Sequence, residues 1–284
     1  MSHFIVVVIG EDVEEQLAPY SENTEVEEYW EEAGDWTLEY GKEKASENGI
    51  LEPTLEQIAK YASGEEDDGT KYVVRDGNIM YKTTYNPQSK WDWYEIGGRW
   101  TGYFPLKEGR HGIVGRPGLF TKSAEKGFAD AAHLCDIDFE GARKEKEKEA
   151  RKWFTKWMDI VNKCGMPETW SSIRESGISI DDARNIYHKQ PAIKMAHEQQ
   201  LAFWDCPAEL FGTDEEKYVA KECKGVLVPF SYVKDGEWIE RAKMGWFGQS
   251  YNDTMTREEW CDEYNEMLKN LRNNTLLTAV DCHI

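Results

Sequence analysis

Two apolar runs, one near each end of the chain, constrain the fold more than any other feature. Phe4-Ile5-Val6-Val7-Val8-Ile9 is an unbroken stretch rich in β-branched residues and ended by Gly10. That is how a strand covered on both faces reads, and it predicts a central strand. Leu276 to Cys282 predicts a second strand of the same kind. Strands this apolar pair inside a sheet, so both terminal strands are expected in one sheet. Tyr72-Val73-Val74, Asp76-Gly77 and Ile79-Met80-Tyr81 predict a hairpin. Val226 to Val233, Asp235-Gly236 and Trp238-Ile239 predict another, which makes the sheet at least partly antiparallel.

Helix signals fill the interior. Asp12 with Glu15 opens a short helix that Pro19 ends, and Thr54 with Gln57 forms a capping box ahead of Leu55, Ile58 and Tyr61. That helix is expected to exit through an exposed loop holding the acidic tetrad Glu65 to Asp68. Residues 141–152 alternate charge at i,i+4 and run on into Trp153, Phe154, Trp157, Met158 and Val161, so one long helix is expected, solvated first and packed later. Ser179 with Asp182 opens a helix ended at Pro191, and Thr256 with Glu259 caps the apolar stripe Trp260, Tyr264, Met267, Leu268 and Leu271. The expected fold class is α+β: a mixed, partly antiparallel sheet containing both terminal strands, with a helical middle lobe. The expected division is an acidic α+β region at 1–121, a helical insertion or lobe at 122–215, and a hairpin, helix and strand at 216–284 that complete the sheet.

Charge is distributed very unevenly. The first seventy residues hold twenty acidic side chains against three lysines and no arginine, so most of the net charge of −20 sits in one quarter of the chain. Such a field repels nucleic acid and anionic membrane and attracts basic protein surface. Twelve tryptophans, fourteen tyrosines and ten phenylalanines argue for a folded scaffold beneath that charge. No run of eighteen apolar residues occurs, and Phe4 to Ile9 is too short for a signal peptide, so a cytoplasmic protein is expected. Six scattered cysteines without C-x-x-C spacing read as free thiols.

Tyr85 to Trp100 is the densest local signature, with Trp91, Trp93 and Trp100 around Gly97-Gly98. The plainer reading makes these rings core around a tight glycine corner, and the same residues admit a pocket in which Trp93, Glu95 and Arg99, with Asp92, hold a base or sugar. Glu95 and Arg99 read equally as an ion pair. Gly109 to Gly118 is a glycine-rich loop carrying Arg110 and Arg116, a candidate anion site that lacks the ending of a P-loop. His133, Cys135, Asp136 and Asp138 lie close in sequence, and strand pairing would gather His3, Asp281 and His283, but neither set has metal-site spacing. No metal, cofactor or catalytic residue is assigned, and the chain reads as a binder more than as an enzyme.

The aromatic motif Trp91-Asp92-Trp93-Tyr94-Glu95-Ile96-Gly97-Gly98-Arg99-Trp100, the start Met1-Ser2-His3-Phe4, the stretch Glu14 to Tyr20 and the end Thr275 to Ile284 together resemble a family of largely uncharacterised bacteriophage and prophage proteins. The resemblance covers both ends and the motif, and implies provenance without naming a site. Phage proteins of this size and acidity include inhibitors of host defence nucleases, among them the Gabija anti-defence proteins. The function expected is a phage-encoded inhibitor that binds a host anti-phage protein, plausibly a nucleic-acid-binding or nuclease complex, through its basic surface. Glu27, Glu28, Glu31, Glu32, Asp35 and Trp36 are the expected partner-binding residues. The first four, spaced i,i+1,i+4,i+5, would form one patch on a helix. No direct nucleic-acid or membrane partner is expected, and homo-oligomerisation stays open. Two alternatives remain: a nucleotide-binding or nucleotide-processing protein using the aromatic motif and the Gly/Arg loop, and a virion structural or assembly protein.

Overall fold

The computed structural model describes residues 2–63, 69–202, 205–245 and 249–284. The chain is α+β and divides into two compact units, one built from 1–16 and 94–284 and the other from the contiguous segment 17–93. The boundary thus falls inside the aromatic motif and not at 121, because the residues after Trp93 pair into the main sheet. The acidic tetrad at 65–68 lies outside the described residues.

In the larger unit, β1 (His3–Ile9) lies between β10 (Ser231–Lys234), to which it is parallel, and β14 (Leu276–His283), to which it is antiparallel. Among the described residues the sheet has seven strands. β11 (Glu237–Glu240) flanks β10, while β5 (Trp93–Gly98) and β7 (Arg116–Pro117) continue beyond β14, which also pairs with β9 (Ala131–His133). The two terminal strands are therefore sheet neighbours, with Val7 opposite Ala279 and Ile9 opposite Leu277. Val6, Val7 and Val8 are fully buried, as an unbroken β-branched run requires. Ile5, Val7 and Ile9 share one face with Leu277, Ala279 and Tyr232, and Trp260, Tyr264 and Leu268 of α10 (Arg257–Lys269) pack on it. Burying each of these large side chains stabilises the fold by about 1.5–3 kcal/mol. α10 starts at a complete Thr256–Glu259 capping box. A short helix α1 (Val13–Leu17) and two minor two-stranded sheets, β6 (Phe104–Pro105) with β8 (Phe128–Ala129) and β12 (Lys243–Met244) with β13 (Ser250–Tyr251), complete the strand set.

The helical part of this unit has its own core. α4 (Phe139–Cys164) begins at Asp138, which accepts the Gly141 N–H, and runs through i,i+4 ion pairs before burying Phe154, Trp157 and Ile160. α7 (Pro191–Glu198), α8 (Pro207–Phe211) and α9 (Glu215–Lys224) pack around that buried stripe. α5 (Trp170–Glu175) and α6 (Ile180–Lys189) enclose a smaller cluster around Ile173, Ala183, Tyr187 and Ile193. Three sequence expectations are corrected here. Residues 122–138 hold no α-helix and supply β8, β9 and a short 3-10 turn at Leu134–Asp136. Pro191 ends α6 and also opens α7, since proline at a first helical position loses no hydrogen bond. Val226 to Pro229 form no strand, and the hairpin begins only at Ser231.

The smaller unit is a three-stranded antiparallel sheet in the order β2 (Tyr29–Glu32), β4 (Asn78–Thr83), β3 (Tyr72–Arg75), with two helices, α2 (Asp35–Glu47) and α3 (Leu55–Ala62). Ala33, Ile58, Ala59 and Ile79 form its core. The helices approach so closely at Gly41 that a Cβ there would lie 2.7 Å from the Ile58 carbonyl oxygen. Asn86 anchors the returning chain by donating to the Pro19 carbonyl at 2.7 Å and the Ser21 carbonyl at 2.9 Å.

Candidate functional site

The acidic segment is folded structure, not a tail, and its carboxylates are displayed by a strand and a helix. The four glutamates singled out by spacing do not share a helical face, because Tyr29–Glu32 is a strand whose side chains alternate. Glu31 turns inward and accepts a hydrogen bond from the Tyr81 hydroxyl at 2.6 Å. Burial, reinforced by that carboxylate, pushes the Tyr81 phenol far above its ordinary range. Glu28 is paired with Lys82. Trp30 sits beneath two cations, with the Arg75 guanidinium 4.5 Å and the Lys82 ammonium 5.5 Å from its ring centre. Glu27 and Glu32 are left exposed.

A cleaner surface lies on α2. Leu38, Gly41 and Ala45 face inward, which turns Asp35, Trp36, Glu39 and Glu43 to water. Trp36 is 68% exposed and stacks on Tyr40, ring centres 5.5 Å apart and planes 11° from parallel. The i,i+4 spacing of Trp36 and Tyr40 was the available signal for this pair, and of the two only the tryptophan was placed among the expected partner-binding residues. An indole held open by a neighbouring ring among carboxylates is a ready contact for a partner that is both basic and apolar.

The aromatic motif does not form one pocket. Trp91 is buried and donates its indole N–H to the Leu17 carbonyl at 3.3 Å. Trp93 is 44% exposed, which corrects its expected place in the core. Trp100 packs on the core of the main sheet. Glu95 faces Arg116 at 4.0 Å and not Arg99. The glycine corner is real and has an unexpected content. Gly97 and Gly98 have φ of +85° and +54°, and side chains there would run into Asp130 and Asp281.

Both aspartates are fully buried, and each carboxylate oxygen has a polar partner. Asp130 receives the Thr101 hydroxyl at 3.2 Å and the backbone N–H groups of Gly102 and Gly115. Asp281 receives His3 Nδ1 at 2.9 Å and the Arg99 backbone N–H at 2.8 Å. His283 lies opposite His3 in register, ring centres 4.9 Å apart. Strand pairing therefore does gather His3, Asp281 and His283, as a polar end to an otherwise apolar sheet face. Among the described residues no His, Cys, Asp and Glu group has metal-site geometry. Of the other proposed set, His133 Nδ1 meets the Asn274 carbonyl and Asp138 caps α4. The six cysteines are all free.

The Gly/Arg loop does not form the anion cradle that the nucleotide reading needs. Four of its amides are already engaged: Arg110 N–H with the Lys107 carbonyl, Ile113 N–H with the Ala131 carbonyl, Gly115 N–H with the Asp130 carboxylate and Gly118 N–H with the Gly98 carbonyl. Arg110 is held 3.4 Å from Asp136, and Arg116 faces Glu95. Cavities lie elsewhere among the described residues. One of 480 Å³ is lined by Glu209, Asp214, Lys217, Tyr218 and Glu258 among others. Another of 170 Å³ lies beside Arg241, Arg257, Trp260 and Cys261, below the usual size of a small-molecule site. No protein-family model, curated protein or solved structure matches the chain. Among the described residues no helix is long and apolar enough to cross a membrane.

Proposed function

We propose that this is a binding protein whose acidic unit docks the basic surface of another protein, in keeping with a phage-encoded inhibitor acting on a host defence component in the host cytoplasm. The observation that carries the reading is the outer face of α2, which exposes Asp35, Glu39 and Glu43 on the same helix as the Trp36–Tyr40 stack. Carboxylates on a folded scaffold present fixed charge to a surface that grips phosphates, and the indole supplies an anchor that can be desolvated. The partner residues differ from those read off the spacing. Glu27, Glu32, Asp35, Trp36, Glu39 and Glu43 carry the contact, whereas Glu31 serves the fold and Glu28 is engaged by Lys82. The nucleotide alternative loses support because four of the loop amides it would use, those of Arg110, Ile113, Gly115 and Gly118, already donate within the fold.

The test compares partners captured from host lysate by the wild-type chain and by the quadruple variant Glu27→Lys, Glu32→Lys, Asp35→Lys, Glu39→Lys, at about 0.05 and about 0.5 M salt. Surface reversals of this type change stability by roughly 0.5 kcal/mol or less per site, so the variant stays folded. A basic protein retained by the wild type, released by salt and lost by the variant is the expected result. Equal capture by both chains at both salt concentrations would remove the acidic unit from the interface.

A further inference from the structure

Residues 107–126 carry five lysines and arginines against two glutamates in a chain of net charge −20. The same segment holds large apolar side chains in water: Leu119 is 90% exposed, Phe120 91% and Ile113 60%. The tip is held in place. Gly118 N–H donates to the Gly98 carbonyl at 2.8 Å, the Thr121 hydroxyl donates to the same carbonyl at 3.0 Å, and Thr121 N–H closes the turn onto the Gly118 carbonyl at 3.1 Å. Its support is the Gly97-Gly98 corner, which buried Asp130 and Asp281 fix in turn. A solvated leucine and phenylalanine side by side on an anchored turn lose little backbone freedom when they bind, and monomeric surfaces seldom display such a pair without use.

We infer that the Leu119–Phe120 tip of one molecule docks on the acidic unit of a second copy of this chain, seated against the Trp36–Tyr40 stack. Two complementarities select that occupant. Residues 17–93 contain eighteen acidic side chains against seven lysines and arginines, so the basic flanks Arg116, Lys122 and Lys126 meet carboxylates. The apolar tip meets an aromatic pair on a helix that also exposes Asp35, Glu39 and Glu43, with the Lys44 ammonium 5.7 Å from the Tyr40 ring centre. Tip and face are different surfaces, so the contact is heterologous and propagates as a ring or a chain of copies. This inference does not rest on the host-partner reading, since it needs no other protein. It adds to that reading a competitor: copies would cover one another's α2 face until a tighter partner displaces them.

Sedimentation velocity of the full chain, from about 1 to about 100 μM and at about 0.05 and 0.5 M salt, tests the contact. Wild type should associate with rising concentration at low salt and return to monomer at high salt. The tip variant Leu119→Asp/Phe120→Asp and the face variant Trp36→Ala/Tyr40→Ala should each stay monomeric. Their equimolar mixture should form a dimer and nothing larger, because each supplies the surface the other has lost. Leu119→Ser/Phe120→Ser replaces the tip variant if aspartate disturbs the turn, with circular dichroism as the check on folding. A wild type that is monomeric throughout, a tip variant that still associates, or a mixture that fails to pair would each overturn the inference. Flotation of monomeric wild type with phosphatidylcholine–phosphatidylserine vesicles, lost in the tip variant, would overturn it too and assign the tip to lipid.

Discussion

Gly98→Ala is the sharpest test of the fold at the glycine corner. Gly98 has φ of +54°, and an added methyl would overlap the Cβ and Oδ2 of Asp281 well inside van der Waals contact. The left-handed backbone costs an alanine about 1–2 kcal/mol. Asp281 is 1% exposed and sits in a central strand, so it cannot step aside without weakening its bonds to His3 and to the Arg99 N–H. Losing hydrogen bonds to a charged group adds about 1.5–3 kcal/mol. The expected loss is therefore about 3–5 kcal/mol, read by urea denaturation of the larger unit with circular dichroism and tryptophan fluorescence. Gly109→Ala is the control, because Gly109 shares the positive φ, at +74°, but has open space around it. It should cost about 1–2 kcal/mol, the backbone contribution alone. Equal losses in the two variants would refute the argument that Asp281 occupies the corner.

Four further outcomes follow from the same geometry. Trp157→Ala, at a fully buried ring in the helical core, should cost about 3–5 kcal/mol, whereas Trp93→Ala should cost far less than a buried tryptophan does; thermal melts of the two variants separate them. Glu31→Ala leaves the Tyr81 hydroxyl without its acceptor and should destabilise the small unit by about 1–3 kcal/mol, while Glu32→Ala should be nearly silent in the same denaturation assay. Arg110→Ala/Arg116→Ala should leave the fold unchanged and alter no response in a nucleotide thermal-shift screen. Hydrogen bonds from the Thr256 backbone and hydroxyl hold the Glu259 carboxyl below its ordinary range, so its contribution to α10 is present at neutral pH and lost as pH falls through its folded pKa; Glu259→Gln should flatten that part of an acid titration followed by circular dichroism.

What the sequence disclosed was what local rules encode. The β-branched run at Val6 to Val8, the capping boxes at Thr54 and Thr256, and the stripe along α4 each depend on spacing within a dozen residues, and each formed as expected. The acidic segment misled where the same spacing serves two structures. Glu27, Glu28, Glu31 and Glu32 suit a helix face, but Tyr29 and Trp30 favour a strand, and pairing with β4 decided the outcome. Asp130 and Asp281 were illegible as partners of Gly97-Gly98, since the former lies about 30 and the latter about 180 residues away and only sheet pairing joins them. Leu119-Phe120 carry no signal of their own in the sequence, because nothing local says that the Gly98 carbonyl will hold their turn.

The pairing of β1 with β14 has a consequence for how the protein is made. A ribosome adds roughly 5–20 residues per second, so β1 emerges on the order of tens of seconds before the strand that flanks it. β10, its other neighbour, comes only shortly ahead of β14. Throughout synthesis the most apolar strand of the chain therefore has both edges unpaired, the condition that invites aggregation or chaperone capture. Residues 17–93 face no such delay, because their three strands and two helices find their partners within the same short stretch. The acidic unit can thus be structured while the larger unit is still being translated.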